Sequence, residues 1–257
     1  VESVLQRAAD PVDEPIAPVV GGVEGTSEQS ELARRIAERL FADEPHRLAL
    51  LADRGRGKSS ALGLGLAAAL EEADLQVAVT ARYPEAAGEV FRFALGAEAA
   101  DQPPEEGAVV FRPTPERLVG EDSFDAIIVD EAAQLPVPLL RRLVDRHPDA
   151  TIAFATTTHG YEGTGRGFSL RFLDWLDRQP VPLERMTLEE PIRWGAGDPL
   201  EAAIFDALLL DAEPTSLDHP VDAGEVEHRR FDRDALADDP ALLREFFGLL
   251  IQAHYRT

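Results

Sequence analysis

The chain has 257 residues, 44% of them hydrophobic, with 25 basic against 48 acidic residues and no cysteine. That length suits one large α/β domain with appendages, while the missing cysteines exclude disulfides and thiolate metal sites. The net charge of −23 excludes a generally basic nucleic-acid-binding surface and reads as a solvated, salt-adapted one, as expected of a salt-loving organism's protein.

Residues 1–23 are irregular, and the expectation is a linker or the end of a preceding domain. They lack the basic start and apolar stretch of a secretory signal, and no apolar run is long enough to span a membrane. A cytoplasmic protein is expected, with no membrane partner. The first residue is Val1 and the only methionine is Met186, so the chain is expected to be a fragment or a processed product.

From Thr26, TSEQSELARRIAERLFA has a capping start and apolar residues Leu32, Ile36, Leu40 and Phe41 at helical spacing. HRLALLA is a short apolar strand, followed at once by a glycine loop and the helix SSALGLGLAAALEEA. LQVAVTA is a strand and PEAAGEVFRFAL a helix, and the acidic, proline-bearing 96–106 stretch reads as a surface loop. AVVF and FDAIIVD are strands. The helix PVPLLRRLVDRH then leads to the strand ATIAFATT. GFSLRFLDWLDR is a helix with Phe168, Phe172 and Trp175 on one side, and LERMTLE is a further strand. PLEAAIFDALLLD and PALLREFFGLLIQAH are helices, with EVEHRRF a strand between them. Alternating strands and helices predict a mostly parallel sheet covered on both faces. Arg34–Arg35 and Arg141–Arg142 read as solvated helix faces. The six histidines are scattered without an i, i+4 metal-binding pair.

Lys58 is the only lysine. It lies in Ala52, Asp53, Arg54, Gly55, Arg56, Gly57, Lys58, Ser59, Ser60. This is the phosphate-loop pattern with alanine in place of its first glycine. Gly55 and Gly57 let the backbone turn N–H groups toward phosphate oxygens, and the following helix adds its positive N-terminal end. Lys58 brings a compact ammonium to the β- and γ-phosphates, a task the planar guanidinium of arginine does not perform in the same way. Ser59 offers a hydroxyl to Mg²⁺. These features predict a RecA-like P-loop NTPase using ATP and Mg²⁺.

FDAIIVDEAAQLP ends an apolar strand in Asp130 and Glu131. Asp130 is the candidate to hold Mg²⁺ with Ser59, and Glu131 the candidate to activate the attacking water. Gln29 is a candidate reader of adenine. Thr156 to Thr158, Thr157 in particular, sit at a strand end where a γ-phosphate sensor belongs. Arg166 is a candidate contact to phosphate or nucleic acid, and Arg193 a candidate to stabilise charge developing on the γ-phosphate. RNA contact on so acidic a chain would need a local arginine cluster, with Arg54, Arg56, Arg166 and Arg171 as candidates.

RGRGKSSALGLGLA, IIVDEAAQLP, HGYEGTGRGF, EPIRWGAGDPLE and LLREFFGLLIQAHYRT occur in this order. From Gly25 to Thr257 the chain resembles the RNA cytidine acetyltransferase family, whose bacterial and archaeal members act on tRNA(Met). The resemblance implies an ATP-dependent helicase-like module joined to an acetyltransferase domain that uses acetyl-CoA to modify N4 of the wobble cytidine of elongator tRNA(Met). It implies ATP contacts at Gln29, the Ala52–Ser60 loop and Arg193, and Mg²⁺ and water roles for Asp130 and Glu131. Gln134 and Arg82 depart from the family's usual alanine and proline. The expected organisation is an ATPase domain over 24–212 and a strand and helix over 213–257 leading toward an acetyltransferase domain in cis. Acetyl-CoA chemistry is expected to lie outside this chain, since no acetyl-CoA pyrophosphate loop is recognisable. The competing readings are a stand-alone helicase or translocase, and a nucleotide-binding scaffold that does not hydrolyse.

Overall fold

The structure is a computed structural model that describes residues 26–113, 115–120, 123–158, 168–212, 224 and 227–256. The expected linker over 1–23, and Arg166, lie outside the described residues. The described residues up to Ala196 form one compact unit and those from Gly197 onward a second.

The first unit is built on six short strands: β1 (Arg47–Ala52), β2 (Val77–Thr80), β3 (Val109–Arg112), β4 (Ala126–Val129), β5 (Thr151–Thr157) and β6 (Leu183–Leu188). All pair in parallel, in the order β3-β2-β4-β5-β1-β6. The near-continuous apolar runs of the inner strands reflect burial on both faces, whereas the edge strand β6, which carries Glu184 and Arg185, is partly exposed. One face carries Leu48, Leu50, Val79, Ile128 and Ala155 against helices α1 (Ser27–Leu40), α2 (Lys58–Glu72) and α3 (Pro84–Leu95). The other carries Ala49, Ile127, Val129, Ile152 and Phe154 against later helices. This is the doubly covered α/β architecture of a RecA-like P-loop fold.

α2 is buried although it contains Gly63 and Gly65. A Cβ at Gly63 would lie 2.5 Å from the Val90 carbonyl oxygen, and one at Gly65 2.7 Å from Ile36 Cγ2. The two glycines let α2 sit tightly between α3 and α1, which outweighs their poor helix propensity.

The stretch expected as a loop over 96–106 contains a short helix, α4 (Ala97–Asp101), and a further helix, α5 (Pro115–Gly120), follows β3. Leu118 of α5 is fully buried on the second face. α6 (Val137–Arg146) follows a 3-10 turn (Ala132–Gln134). The expected helix after β5 opens as a π-helical segment (Phe168–Leu173), followed by α7 (Asp174–Leu176). Its wider turn accommodates a run of rings: Phe154–Phe172 at 4.9 Å, Phe168–Phe172 at 5.1 Å and Phe172–Trp175 at 5.9 Å between centroids.

The second unit contains α8 (Pro199–Leu208), α9 (Arg233–Asp238) and α10 (Pro240–Arg256). Arg244 of α10 reaches the carboxylates of Asp206 and Asp211. The strand expected over EVEHRRF does not form: its described residues, 227–231, are irregular and exposed. Glu227, His228, Arg229 and Arg230 leave little apolar surface to bury against a sheet. Among the described residues no helix is long and apolar enough to cross a membrane.

Candidate nucleotide site

Parallel strands place every strand's C-terminal end at one edge, and that edge gathers the candidate residues. β5 lies between β1 and β4. The end of β5 therefore stands between the phosphate loop after β1 and the acidic turn after β4. Ala52 is level with Thr157, and the Thr158 N–H donates to the Ala52 carbonyl at 3.2 Å.

The loop backbone takes the left-handed conformation at Gly55 (φ 80°) and Gly57 (φ 83°). Close contacts reinforce the need for glycine. A Cβ on Gly55 would lie 2.6 Å from the Trp194 ring, and one on Gly57 1.9 Å from Gln29 Nε2. Lys58 is 6% exposed, and its Nζ donates to the carbonyls of Ala52 and Asp53, both at 3.1 Å. Burial lowers the Lys58 pKa, opposed by the negative charges of Glu131, Asp130 and Asp53 and assisted by Arg193. Lys58 therefore lies in the field of charges from three separate stretches of sequence, attracted by the carboxylates and repelled by Arg193. Ser59 is half-buried, Ser60 buried and Arg54 exposed.

Asp130 is fully buried. Its N–H donates to the Thr80 carbonyl at 2.9 Å, and its Oδ1 accepts from the Glu131 N–H at 2.9 Å. Its Oδ2 is buried without a hydrogen-bond partner. Desolvation raises the Asp130 pKa to about 6, against the lowering effect of the Ser59 hydroxyl. Glu131 is held at φ 48°, ψ 44°. A side chain with a Cβ in that left-handed region is strained, a condition that concentrates at functional sites. Thr156, the residue before Thr157 near the end of β5, is 1% exposed and its Oγ1 is also buried without a partner. Thr157 itself is half-buried.

These features fit a Mg²⁺ site of the phosphate-bound kind. Such an ion takes one or two protein oxygens and completes its shell with water and phosphate. The orphaned Asp130 oxygen and the neighbouring Ser59 hydroxyl supply that set. Among the described residues there is no group of three or more metal-binding side chains.

Gln29 lies against the loop rather than on an open helix face. It is 4% exposed, forms a capping box with Thr26, and donates from Nε2 to the Gly57 carbonyl at 3.4 Å. Its neighbour Glu28 accepts from the N–H groups of Glu189 and Glu190 at 3.0 and 2.9 Å. This contact brings the segment after β6 onto the phosphate loop. There the Ile192 N–H donates to the Gly55 carbonyl at 2.9 Å, and Arg193 is exposed beside it. Arg56 is buried with its guanidinium 5.8 Å from the Trp194 ring centroid.

Glu28, Ile192 and Trp194 were not singled out by sequence reasoning. The available signal was Trp194, one of only two tryptophans, next to Arg193. The expected arginine cluster divides into different environments: Arg56 lies over Trp194, Arg54 is exposed, and Arg171 belongs to the π-helical segment. Arg34 is exposed and Arg35 pairs with Glu184. Arg141, expected on a solvated face, is half-buried with its guanidinium over Trp175.

A strand, a glycine loop, a helix that starts at a buried lysine and an acidic turn one strand away define a P-loop nucleotide-binding protein of the helicase-like class. The pattern of the family described as RNA cytidine acetyltransferase NAT10/TcmA, helicase domain, matches residues 49–211. The chain belongs to that family. It is 42% identical over 241 residues to tRNA(Met) cytidine acetyltransferase TmcA of Nitrosococcus halophilus, a match covering 90% of this chain and 32% of the relative. It is 44% identical over 224 residues to the TmcA of Haloferax volcanii, covering 80% of this chain and 29% of the relative. The chain thus spans about a third of the length of these relatives. Among solved structures, Pif1 helicase from Candida albicans aligns at a TM-score of 0.46 with 14% identity, covering 84% of this chain and 47% of that one.

Proposed function

We propose that this chain binds ATP with Mg²⁺ and hydrolyses it, as the helicase-like module of a cytoplasmic tRNA(Met) cytidine acetyltransferase. The whole protein would use acetyl-CoA, in an acetyltransferase domain in cis, to acetylate N4 of the wobble cytidine of elongator tRNA(Met). The single observation that carries the hydrolytic reading is the orphaned, buried Oδ2 of Asp130, close to Ser59 and in the field of Lys58. A buried carboxylate oxygen with no partner is costly unless a ligand or cation completes it.

In this reading the N–H groups of the 52–60 loop cradle the phosphates, and Gln29 turns its amide to adenine. Lys58 leaves the carbonyls of Ala52 and Asp53 for the β- and γ-phosphates. Ser59 and Asp130 hold Mg²⁺, whose positive charge would neutralise the phosphate oxygens. Glu131 accepts the proton of the water that attacks the γ-phosphorus, and the bond to the ADP oxygen breaks. Arg193 stabilises the charge on the transferred group, and Thr157 senses its presence.

The test is steady-state release of phosphate from ATP by this chain, with and without Mg²⁺, beside Lys58→Ala. Turnover that requires Mg²⁺ and falls at least about 100-fold in Lys58→Ala is the expected result. Saturable ATP binding with no turnover would replace this reading with a nucleotide-binding scaffold.

A further inference from the structure

An open groove of about 560 Å³ lies between the N-terminal end of α6 and the π-helical segment with α7, away from the phosphate loop. Its lining includes Arg141, Arg171, Arg178 and Trp175, with Asp174 as the one acidic residue. Three arginines around one groove stand out on a chain with 48 acidic residues against 25 basic ones.

The central arginine is anchored. The Arg141 guanidinium lies 5.2 Å from the Trp175 ring centroid, and Nη2 donates to the Arg171 carbonyl at 3.2 Å. Trp175 stacks in turn on Phe172, which has no exposed surface. The aromatic column therefore fixes the guanidinium plane to the hydrophobic core. A planar fork held in place loses little freedom when it takes a phosphate oxygen. Arg171 and Arg178 are exposed and line the groove on either side of Trp175 in sequence.

We propose that this groove binds the sugar–phosphate backbone of an RNA strand, with Arg141 as the fixed contact and Arg171 and Arg178 as the flanking ones. Charge complementarity selects the ligand: a chain of net charge −23 disfavours a polyanion in general, and this groove gathers three arginines against one acidic residue among its described lining. The placement also gives the contact a consequence. α6 begins just beyond the Asp130–Glu131 turn, and the π-helical segment follows the β5 strand that ends at Thr157. RNA in the groove thus bears on two elements that leave the nucleotide edge. This consequence rests on the ATPase reading; the RNA site itself does not.

The test is fluorescence anisotropy of a fluorescein-labelled 12-nucleotide oligouridine, titrated with the whole chain from 50 mM to 1 M salt. The parent is compared with Arg171→Ala/Arg178→Ala, with Arg141→Ala, and with Arg34→Ala as a control for lost charge elsewhere. The double variant is expected to weaken binding about tenfold at low salt. It should also flatten the slope of log Kd against log salt by about 1.4, roughly 0.7 for each lost phosphate contact on a single strand. Arg34→Ala should leave the slope unchanged. Because Arg171 and Arg178 are exposed, their loss does not threaten folding, whereas circular dichroism must accompany Arg141→Ala. An unchanged affinity and slope in the double variant would overturn the proposal. So would a parent chain that binds no RNA at any salt, or hexaglutamate competing as well as RNA. Basal ATP turnover, measured without RNA, separates failure here from failure of the ATPase reading.

Discussion

Arg47 opens β1 and Lys58 opens the helix that follows it, and both cations are nearly buried, at 2% and 6% exposure. Their surroundings differ. Arg47 donates through its two terminal nitrogens to the carbonyls of His46, Ala150, His147 and Pro148, and only its Nε lacks a partner. Burial pushes its pKa down to about 10, which still leaves it charged. The rigid fork gathers the loose carbonyls at the end of α6 and before β5, so it works as a structural clamp. Lys58 has two carbonyl partners, both in the loop it serves, and its neighbours Asp130 and Thr156 each keep a buried oxygen without a partner. One edge of the sheet is nearly saturated, with the Arg47 Nε unmet, and the other holds unmet bonding capacity for a ligand. The choice of residue follows: many fixed acceptors favour arginine, and an acceptor that arrives and departs favours a flexible ammonium.

Exchanging the two chemistries should break the comparison most sharply. Lys58→Arg keeps the charge, yet is expected to cost at least about 100-fold in ATP turnover with little change in thermal midpoint. Arg47→Lys should do the reverse, lowering stability by about 1–3 kcal/mol through lost hydrogen bonds while the affinity for ATP stays the same. Denaturant titration beside phosphate release separates the two outcomes.

Asp130 offers a smaller test. Its folded pKa of about 6 lies above the ordinary 3.8. The folded protein thus binds more protons than the unfolded chain between those values, and this contribution to stability falls as pH rises through that window. Asp130→Asn should therefore flatten the melting profile between pH 4 and 7. It should also stabilise the protein by about 3 kcal/mol at pH 7 while abolishing Mg²⁺-dependent turnover. A lower melting temperature for Asp130→Asn at pH 7 would overturn this account.

Trp194 should give the smallest effect. It lies on Gly55 from outside the loop, so Trp194→Ala is expected to raise the KM for ATP about tenfold, roughly 1.4 kcal/mol, with a smaller change in kcat. In the parent its fluorescence should respond to ATP, which a Trp175→Phe background would isolate.

The saturated and unsaturated edges were not equally legible. Lys58, Asp130 and Glu131 carry local patterns, a glycine loop and a strand ending in acids, and the fold brings them together as expected. The alternation of apolar strands and helices likewise forecast the doubly covered sheet. Contacts between distant stretches left no such trace. Trp194 meets Gly55 where Glu28 and the Ile192 N–H hold the segment after β6 on the loop, and nothing near Trp194 in sequence reports that contact. Arg141 sits in a polar pair on an amphipathic helix, a pattern identical to that of a solvated face, and its burial depends on a tryptophan from another element. EVEHRRF alternates like a strand but has too few apolar groups to cover a sheet edge.

The Glu28 carboxylate, which receives the N–H groups of Glu189 and Glu190, joins the first helix of the unit to the stretch beyond its last strand. The nucleotide edge is thus closed like a hoop, with the two ends of the unit fastened to each other as well as to the sheet. Trimming to residues 49–211, the span the family pattern recognises, would keep the phosphate loop and the acidic turn but remove Glu28 and Gln29 together. Such a piece would also lose the rest of α1 and Arg47, so its inactivity would report an uncovered sheet face and an opened hoop together rather than an absent catalyst.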